Sequence, residues 1–202
     1  GARCDIESIQ YSYQFNEELQ QEWEWPERYA AQPDILAYIE HVADRYDLKR
    51  DITFETRVQA ATFGEDSHTW EVETDCGERL SARFFIMSVG CLSVPIRPEF
   101  DGAEEFSGEV YQTSMWPKDP VNFAGKRIGV IGVGSSAVQS VPLIAEQAKH
   151  VYVYQRTPNF VVQAQNHPLG EDDVATIKAD YRGFRAKAWD LQSAFLFPRH
   201  DQ

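Results

Sequence analysis

The chain has 202 residues, with 19 lysines and arginines against 32 aspartates and glutamates, so its formal net charge is -13. That length can bury a genuine core, and 43% hydrophobic with 25% charged residues excludes a wholly disordered or collagen-like chain. The acidic balance argues against a nucleic-acid partner, because backbone phosphates need a surplus of Lys and Arg, whereas a phosphate-bearing small molecule needs only one local electropositive pocket.

No apolar run approaches the roughly eighteen residues of a membrane helix, and the opening Gly1-Ala2-Arg3-Cys4-Asp5 shows no basic-then-apolar leader pattern. The three cysteines, Cys4, Cys76 and Cys91, lack C-x-x-C spacing. They suggest neither a disulfide framework nor a zinc site, and a reduced, cytoplasmic setting is expected.

Residues 1–30 are aromatic and acidic without a sustained period, which predicts irregular structure, a helical turn near 17–22 and aromatics packed under a loop. Ile35, Leu36, Ile39, Val42, Ala43 and Tyr46 then recur at helical spacing, and Pro33 suits a first turn, so a helix is expected over 33–46. Residues 52–56 and 69–74 alternate as strands, with turns at 64–67 and 75–78. Residues 84–89 (Phe-Phe-Ile-Met-Ser-Val) form a continuous apolar run closed by Gly90, which suits a strand buried on both faces. Pro95, Pro98 and Gly102 break regular structure, so 94–102 reads as a connector. A second unit follows: a strand at 127–131, a helix over 135–148 and a strand at 151–155. Val174, Ile177, Tyr181, Phe184 and Ala188 give 172–189 helical spacing, and the last dozen residues carry no clear signal.

Gly132-Val133-Gly134-Ser135-Ser136-Ala137 fits G-x-G-x-x-G/A between an apolar strand and a helix, with a second strand returning behind it. Gly132 allows the tight turn, Gly134 lets backbone approach a pyrophosphate, and Ala137 lets helix and strand pack. The pyrophosphate would sit on the free N–H groups at the helix start. An NAD enzyme usually places Asp or Glu after the second strand to hold the ribose hydroxyls. Here that place reads Gln155-Arg156-Thr157. Arg156 is a planar fork suited to a 2′-phosphate and Thr157 can donate from its hydroxyl, so NADPH is the expected nucleotide.

Several stretches resemble one family. Phe106-Ser107-Gly108-Glu109-Val110-Tyr111-Gln112-Thr113-Ser114-Met115-Trp116-Pro117 resembles the fingerprint F-x-G-x-x-x-H-x-x-x-W-P of Baeyer–Villiger monooxygenases, and the opening five residues resemble the end of that family's Y-P-G-x-x-x-D fingerprint. Trp23-Glu24-Trp25-Pro26-Glu27-Arg28-Tyr29, the stretch 32–52, Gly90-Cys91-Leu92-Ser93 and Gln155-Arg156-Thr157-Pro158 are similar to it as well. The resemblance implies an α/β chain carrying parts of two Rossmann-like, three-layer dinucleotide-binding domains, both incomplete here. Residues 1–93 would be part of an FAD domain, 94–105 a connector and 106–202 an NADPH domain whose Rossmann-like unit is 126–157.

The implied activity inserts one oxygen of O2 beside a ketone carbonyl to give an ester or lactone. In that scheme NADPH reduces FAD, and a C4a-peroxyflavin attacks the ketone. By motif match Asp5 would lie at the active site near flavin and nicotinamide, with Arg3 and Cys4 beside it. Tyr11 would contact FAD and the Val58 backbone the adenine. Val133, Gly134, Ser135, Ser136, Ala137, Val138 and Gln139, with Gly132, Arg156 and Thr157, would hold NADPH. Loop capping is the simpler role for Asp5.

The chain departs from the family pattern in places. Gln112 replaces the fingerprint histidine, keeping hydrogen bonds but losing titration near neutrality. Ser88-Val89-Gly90 stands where the family commonly has Ala-Thr-Gly. No glycine occurs between Gly1 and Gly64, so no first G-x-G-x-x-G precedes Asp5. The chain therefore resembles the middle of a longer enzyme and is expected to need the remainder of a parent polypeptide, with little activity alone. Oxidation of nitrogen or sulfur by a related flavin monooxygenase, or a non-catalytic NADPH-binding remnant, are the other readings.

Overall fold

The computed structural model describes residues 2–90 and 92–189; Gly1 and Cys91 of the quoted motifs and the C-terminal stretch without signal lie outside them. The elements in chain order are α1 (Glu17–Glu22), α2 (Gln32–Arg45), β1 (Val58–Gly64), β2 (Thr69–Thr74), β3 (Arg79–Ala82), β4 (Arg127–Ile131), α3 (Ser135–Ala145), β5 (His150–Tyr154), α4 (Glu171–Ala179) and α5 (Tyr181–Trp189). Two compact units result: one from Gly1–Lys49 with Asn122–Gln202, the other from Arg50–Val121.

In the first unit, α1 starts where Asn16 accepts the Leu19 N–H at 2.8 Å, and α2 starts where the Asp34 carboxylate accepts the Ala31 N–H at 3.3 Å. The core gathers Cys4, Leu19, Trp25, Tyr29, Ala30, Tyr38 and Val42. Of the apolar positions expected on the inner face of α2, Val42 is buried, but Leu36 and Ile39 are exposed and Tyr38 takes the central place. Tyr38 can do so because its hydroxyl accepts the Tyr13 N–H at 2.7 Å, which satisfies the polar end of a buried ring.

Three irregular segments lie side by side beneath this core. Cys4 N–H donates to the Ala30 carbonyl and Gln32 N–H to the Ala2 carbonyl, both at 2.8 Å, while Arg28 N–H reaches the His167 carbonyl and Leu169 N–H the Pro26 carbonyl, both at 3.0 Å. Segment 26–32 thus holds the N-terminal strip on one side and 167–169 on the other. β4 and β5 pair in parallel, with Arg127 opposite His150 and Ile131 opposite Tyr154, and α3 crosses between them. Helical structure continues one turn past Ala145, where the Ala148 N–H meets the Ile144 carbonyl at 2.9 Å.

The expected single helical stretch over 172–189 is two helices. Asp180 breaks it (φ -145°, ψ 62°), and its carboxylate accepts the Gly183 N–H at 2.9 Å to start α5 afresh.

The second unit is an antiparallel sheet in the order β1-β2-β3, with a register shift between Val58 and Ala60. Its second hairpin turns at Gly77, whose φ of +83° favours glycine. Two expected strands are absent. Residues 52–56 form a turn, with Glu55 at φ +52° ending any extended run. Residues 84–89 pair with no strand among the described residues, and Phe84, Ile86, Met87 and Val89 are exposed; only Phe85 turns inward, 5.6 Å from the Trp70 ring. A strand buried on both faces needs neighbours that supply hydrogen bonds and cover, and none lies beside this run.

Leu19 is fully buried at the centre of the core. Leu19→Ala is expected to cost about 3 kcal/mol, lowering the urea midpoint with an unchanged slope.

Candidate functional site

The glycine motif closes where the Gly132 N–H donates to the Tyr154 carbonyl at 2.9 Å, tying the loop to the end of β5. Gly132 has φ +103°, a conformation other residues reach only under strain, and a Cβ on Gly132 or Gly134 would meet nothing within 4 Å. Gly134 is the N-cap of α3, no side chain caps the helix, and its first turn holds no acidic residue. The first-turn N–H groups and the positive end of the helix dipole therefore face open space, which suits an anion. Ser135 and Ser136 are exposed there, Ala137 is half-buried, and Val138 lies on the outer face.

Arg156 and Thr157 follow β5 and are exposed, and no carboxylate among the described residues pairs with the Arg156 guanidinium. Asn159, which the sequence pattern did not single out, donates from Nδ2 to the Val133 carbonyl at 2.9 Å and braces the loop. Its one sequence signal was closeness to the Arg156 turn.

Gln139 joins this helix to the N-terminal strip. Its Oε1 accepts the Arg3 N–H at 3.0 Å and its Nε2 donates to the Arg3 carbonyl at 3.4 Å. The Arg3 guanidinium is engaged by Glu27 and by the Tyr29 carbonyl at 2.8 Å. Two residues on, the exposed Asp5 carboxylate accepts the Tyr11 hydroxyl at 2.8 Å. Burial first, then Asp5, pushes the Tyr11 phenol up to about 12. The Cys4 side chain points into the core, where burial pushes its thiol up, so any ligand beside it would meet backbone. The strip therefore brings Arg3, Asp5, Tyr11 and α3 together, with Cys4 as its anchor.

Val58 opens β1 in the other unit and is 47% exposed. In that unit Gln112 donates from Nε2 to the Ile96 carbonyl at 2.7 Å, a bond that needs no titratable ring, and the Trp116 ring lies 5.8 Å from Tyr111.

A cavity of about 270 Å³ in the first unit lies apart from the candidate residues, none of which lines it. Its wall includes Trp23, Phe184, Ile177 and the buried pair Glu7 and Arg28. Arg28 donates from Nε and Nη2 to one oxygen of Glu7 at 2.8 and 2.6 Å, while Glu7 Oε2 has no partner. Burial raises the Glu7 carboxyl above the usual carboxylate range, and the guanidinium pulls it back.

The family model "Flavin-binding monooxygenase-like" matches residues 17–172. The chain belongs to the flavin-binding monooxygenase-like family. It is 42% identical to a cyclohexanone 1,2-monooxygenase of Acinetobacter sp over 197 residues, which cover 98% of this chain and 36% of the relative. A solved structure of oxidised steroid monooxygenase bound to NADP superposes on it with TM-score 0.86 and 50% identity, covering 100% of this chain and 39% of that one. A structure of OTEMO in complex with FAD and NADP gives TM-score 0.86 at 38% identity, covering 98% and 38%. The chain thus spans a little over a third of the length of each, and its α/β fold is that of these flavoprotein monooxygenases. No helix among the described residues is long and apolar enough to cross a membrane.

Arg28→Met would leave Glu7 buried without its counter-charge, at a cost of about 3–5 kcal/mol at neutral pH. The folded carboxyl would then titrate further above its unfolded value of 4.5. The penalty is accordingly absent below that value and grows as pH rises through the window above it. Urea denaturation should show a smaller loss at pH 5 than at pH 7; equal losses would clear Glu7 of the effect.

Proposed function

We propose that this chain supplies the nucleotide unit and the flavin-side strip of a Baeyer–Villiger monooxygenase. Together with the remainder of a parent polypeptide, it would use FAD, NADPH and O2 to insert one oxygen atom next to a ketone carbonyl, giving an ester or lactone. Residues 1–93 belong to the FAD-binding part, 94–105 form the connector and 106–202 the NADPH-binding part, in a cytoplasmic enzyme. The observation that carries this reading is the pair of hydrogen bonds from Gln139 to both backbone groups of Arg3. That link fixes the strip bearing Asp5 to the helix whose N-terminus suits a pyrophosphate.

The residues present fit a pyridine dinucleotide. The uncapped start of α3 and the open face of Gly134 leave room for a pyrophosphate against backbone N–H groups of Ser135, Ser136 and Ala137. The lone guanidinium of Arg156, with the Thr157 hydroxyl, suits a 2′-phosphate. Val133 and Val138 would offer apolar contact beside it, and Gln139 acts as the tether. FAD, when bound, supplies the oxygen chemistry and NADPH the hydride. The side chains here bind and orient. Asp5, an acceptor held by Tyr11, would lie near flavin and nicotinamide, with Arg3 and the Cys4 backbone beside it. Tyr11 would contact the flavin, and the Val58 backbone would meet the adenine. Alone, the chain binds NADPH weakly and retains little FAD.

Arg156→Ala removes charge-assisted hydrogen bonds worth about 1.5–3 kcal/mol, so the Kd for NADPH should rise about tenfold to a hundredfold while that for NADH stays put. Equal losses for both nucleotides would overturn the assignment. In the parent polypeptide, labelled O2 and cyclohexanone should yield lactone carrying one label; oxidation of a thioether or amine alone would move the chain to the nitrogen- and sulfur-oxidising branch.

A further inference from the structure

Arg185, on α5, is 5% exposed, and no carboxylate among the described residues pairs with it. Its Nη2 donates to the carbonyls of Ile9 at 3.0 Å and Ser12 at 2.8 Å, its guanidinium lies 5.5 Å from the Tyr181 ring, and Nε and Nη1 have no partner. Tyr181 and Tyr38 are the titratable groups that face it, and burial lowers its basicity. Enclosing a cation without a counter-ion is costly, so the two carbonyls it does bind are informative.

Those carbonyls bracket one short turn. Ser8–Tyr11 is a 3-10 helix, and the Ser12 N–H closes it onto the same Ile9 carbonyl at 3.2 Å. Tyr11 sits between the two carbonyls, and its hydroxyl donates to Asp5. Around the exit, Trp25 Nε1 donates to Ser12 Oγ at 2.8 Å, and the Tyr13 N–H goes to Tyr38. The turn is therefore clamped from behind by α2 and α5, and among the described residues the charged clamp is Arg185.

We infer that Arg185 is a positioning residue: by gripping the Ile9 and Ser12 carbonyls it fixes the turn that aims the Tyr11 hydroxyl at Asp5. A helix that follows the nucleotide unit in sequence would thus set the geometry on the flavin side. The functional meaning rests on the role proposed above for Asp5 and Tyr11, whereas the experiment needs no cofactor, so the two can fail separately.

The experiment is fluorine NMR of the chain labelled with 3-fluorotyrosine, whose phenol ionises at lower pH than tyrosine and so titrates while the protein is folded. Tyr11→Phe assigns the Tyr11 resonance. Asp5 and Cys4 are the ionisable groups facing Tyr11, and in the unsubstituted chain its resonance should titrate well above free 3-fluorotyrosine. Arg185→Met should raise the Tyr11 ionisation constant about tenfold, a shift of about one pH unit, as the phenol loses its hydrogen bond to Asp5. Arg185→Lys, which keeps a donor for one carbonyl, should recover most of that shift. A Tyr11 titration unmoved in both variants, with only the urea midpoint lowered, would make Arg185 a general strut and overturn the inference. Failure of the Arg185→Lys chain to fold would do the same.

Discussion

Buried backbone groups must find partners, and outside helices and sheets that demand becomes the constraint that organises a structure. In this chain it falls on segment 26–32, which has neither helical nor strand-ladder partners of its own for most of its length. Its groups are met from two sides, by the strip around Cys4 and by 166–169, and by the Ser8 hydroxyl, which accepts the Ala30 N–H at 2.8 Å and faces the Glu27 and Arg28 carbonyls. The core residues Tyr29 and Ala30 are on this segment and Trp25 directly precedes it, so satisfying its backbone and burying its side chains are one event. Everything that aims Asp5 depends on it.

The arrangement concentrates unpaired positive potential at one end of α3 while the molecule as a whole is acidic. A net charge of -13 repels anions at long range. An uncapped helix start and a guanidinium without a carboxylate act only at short range, where screening is least. A dinucleotide recognised in this way is held by local dipoles rather than drawn in by the field of the whole protein.

The elements with a strong local signal were legible in the sequence. The strand-turn-helix-strand around Gly132 follows from glycine positions and apolar spacing, and α2 from its first-turn proline and apolar spacing. What failed to show was whatever depends on partners distant in the chain. Tyr38 rather than Ile39 lies in the core because Tyr13 supplies a donor for its hydroxyl. Residues 84–89 have the composition of a doubly covered strand, yet composition cannot say whether neighbours are present. The break at Asp180 depends on one carboxylate choosing a backbone N–H over solvent. In the candidate site, the glycines and Arg156 were readable as types at fixed spacing, and Asp5 only through the family resemblance. The Gln139 tether and the Asn159 brace join residues whose contact no local pattern encodes.

The uncovered run from Phe84 onward has a practical consequence. Ile86, Leu92, Val94 and Ile96 are each more than 80% exposed. Large apolar side chains left open to water in this number favour association with other chains. Handled by itself in solution, the polypeptide would bind hydrophobic dyes, drift into oligomers as concentration rises and call on chaperones in the cell, whatever the integrity of its glycine loop.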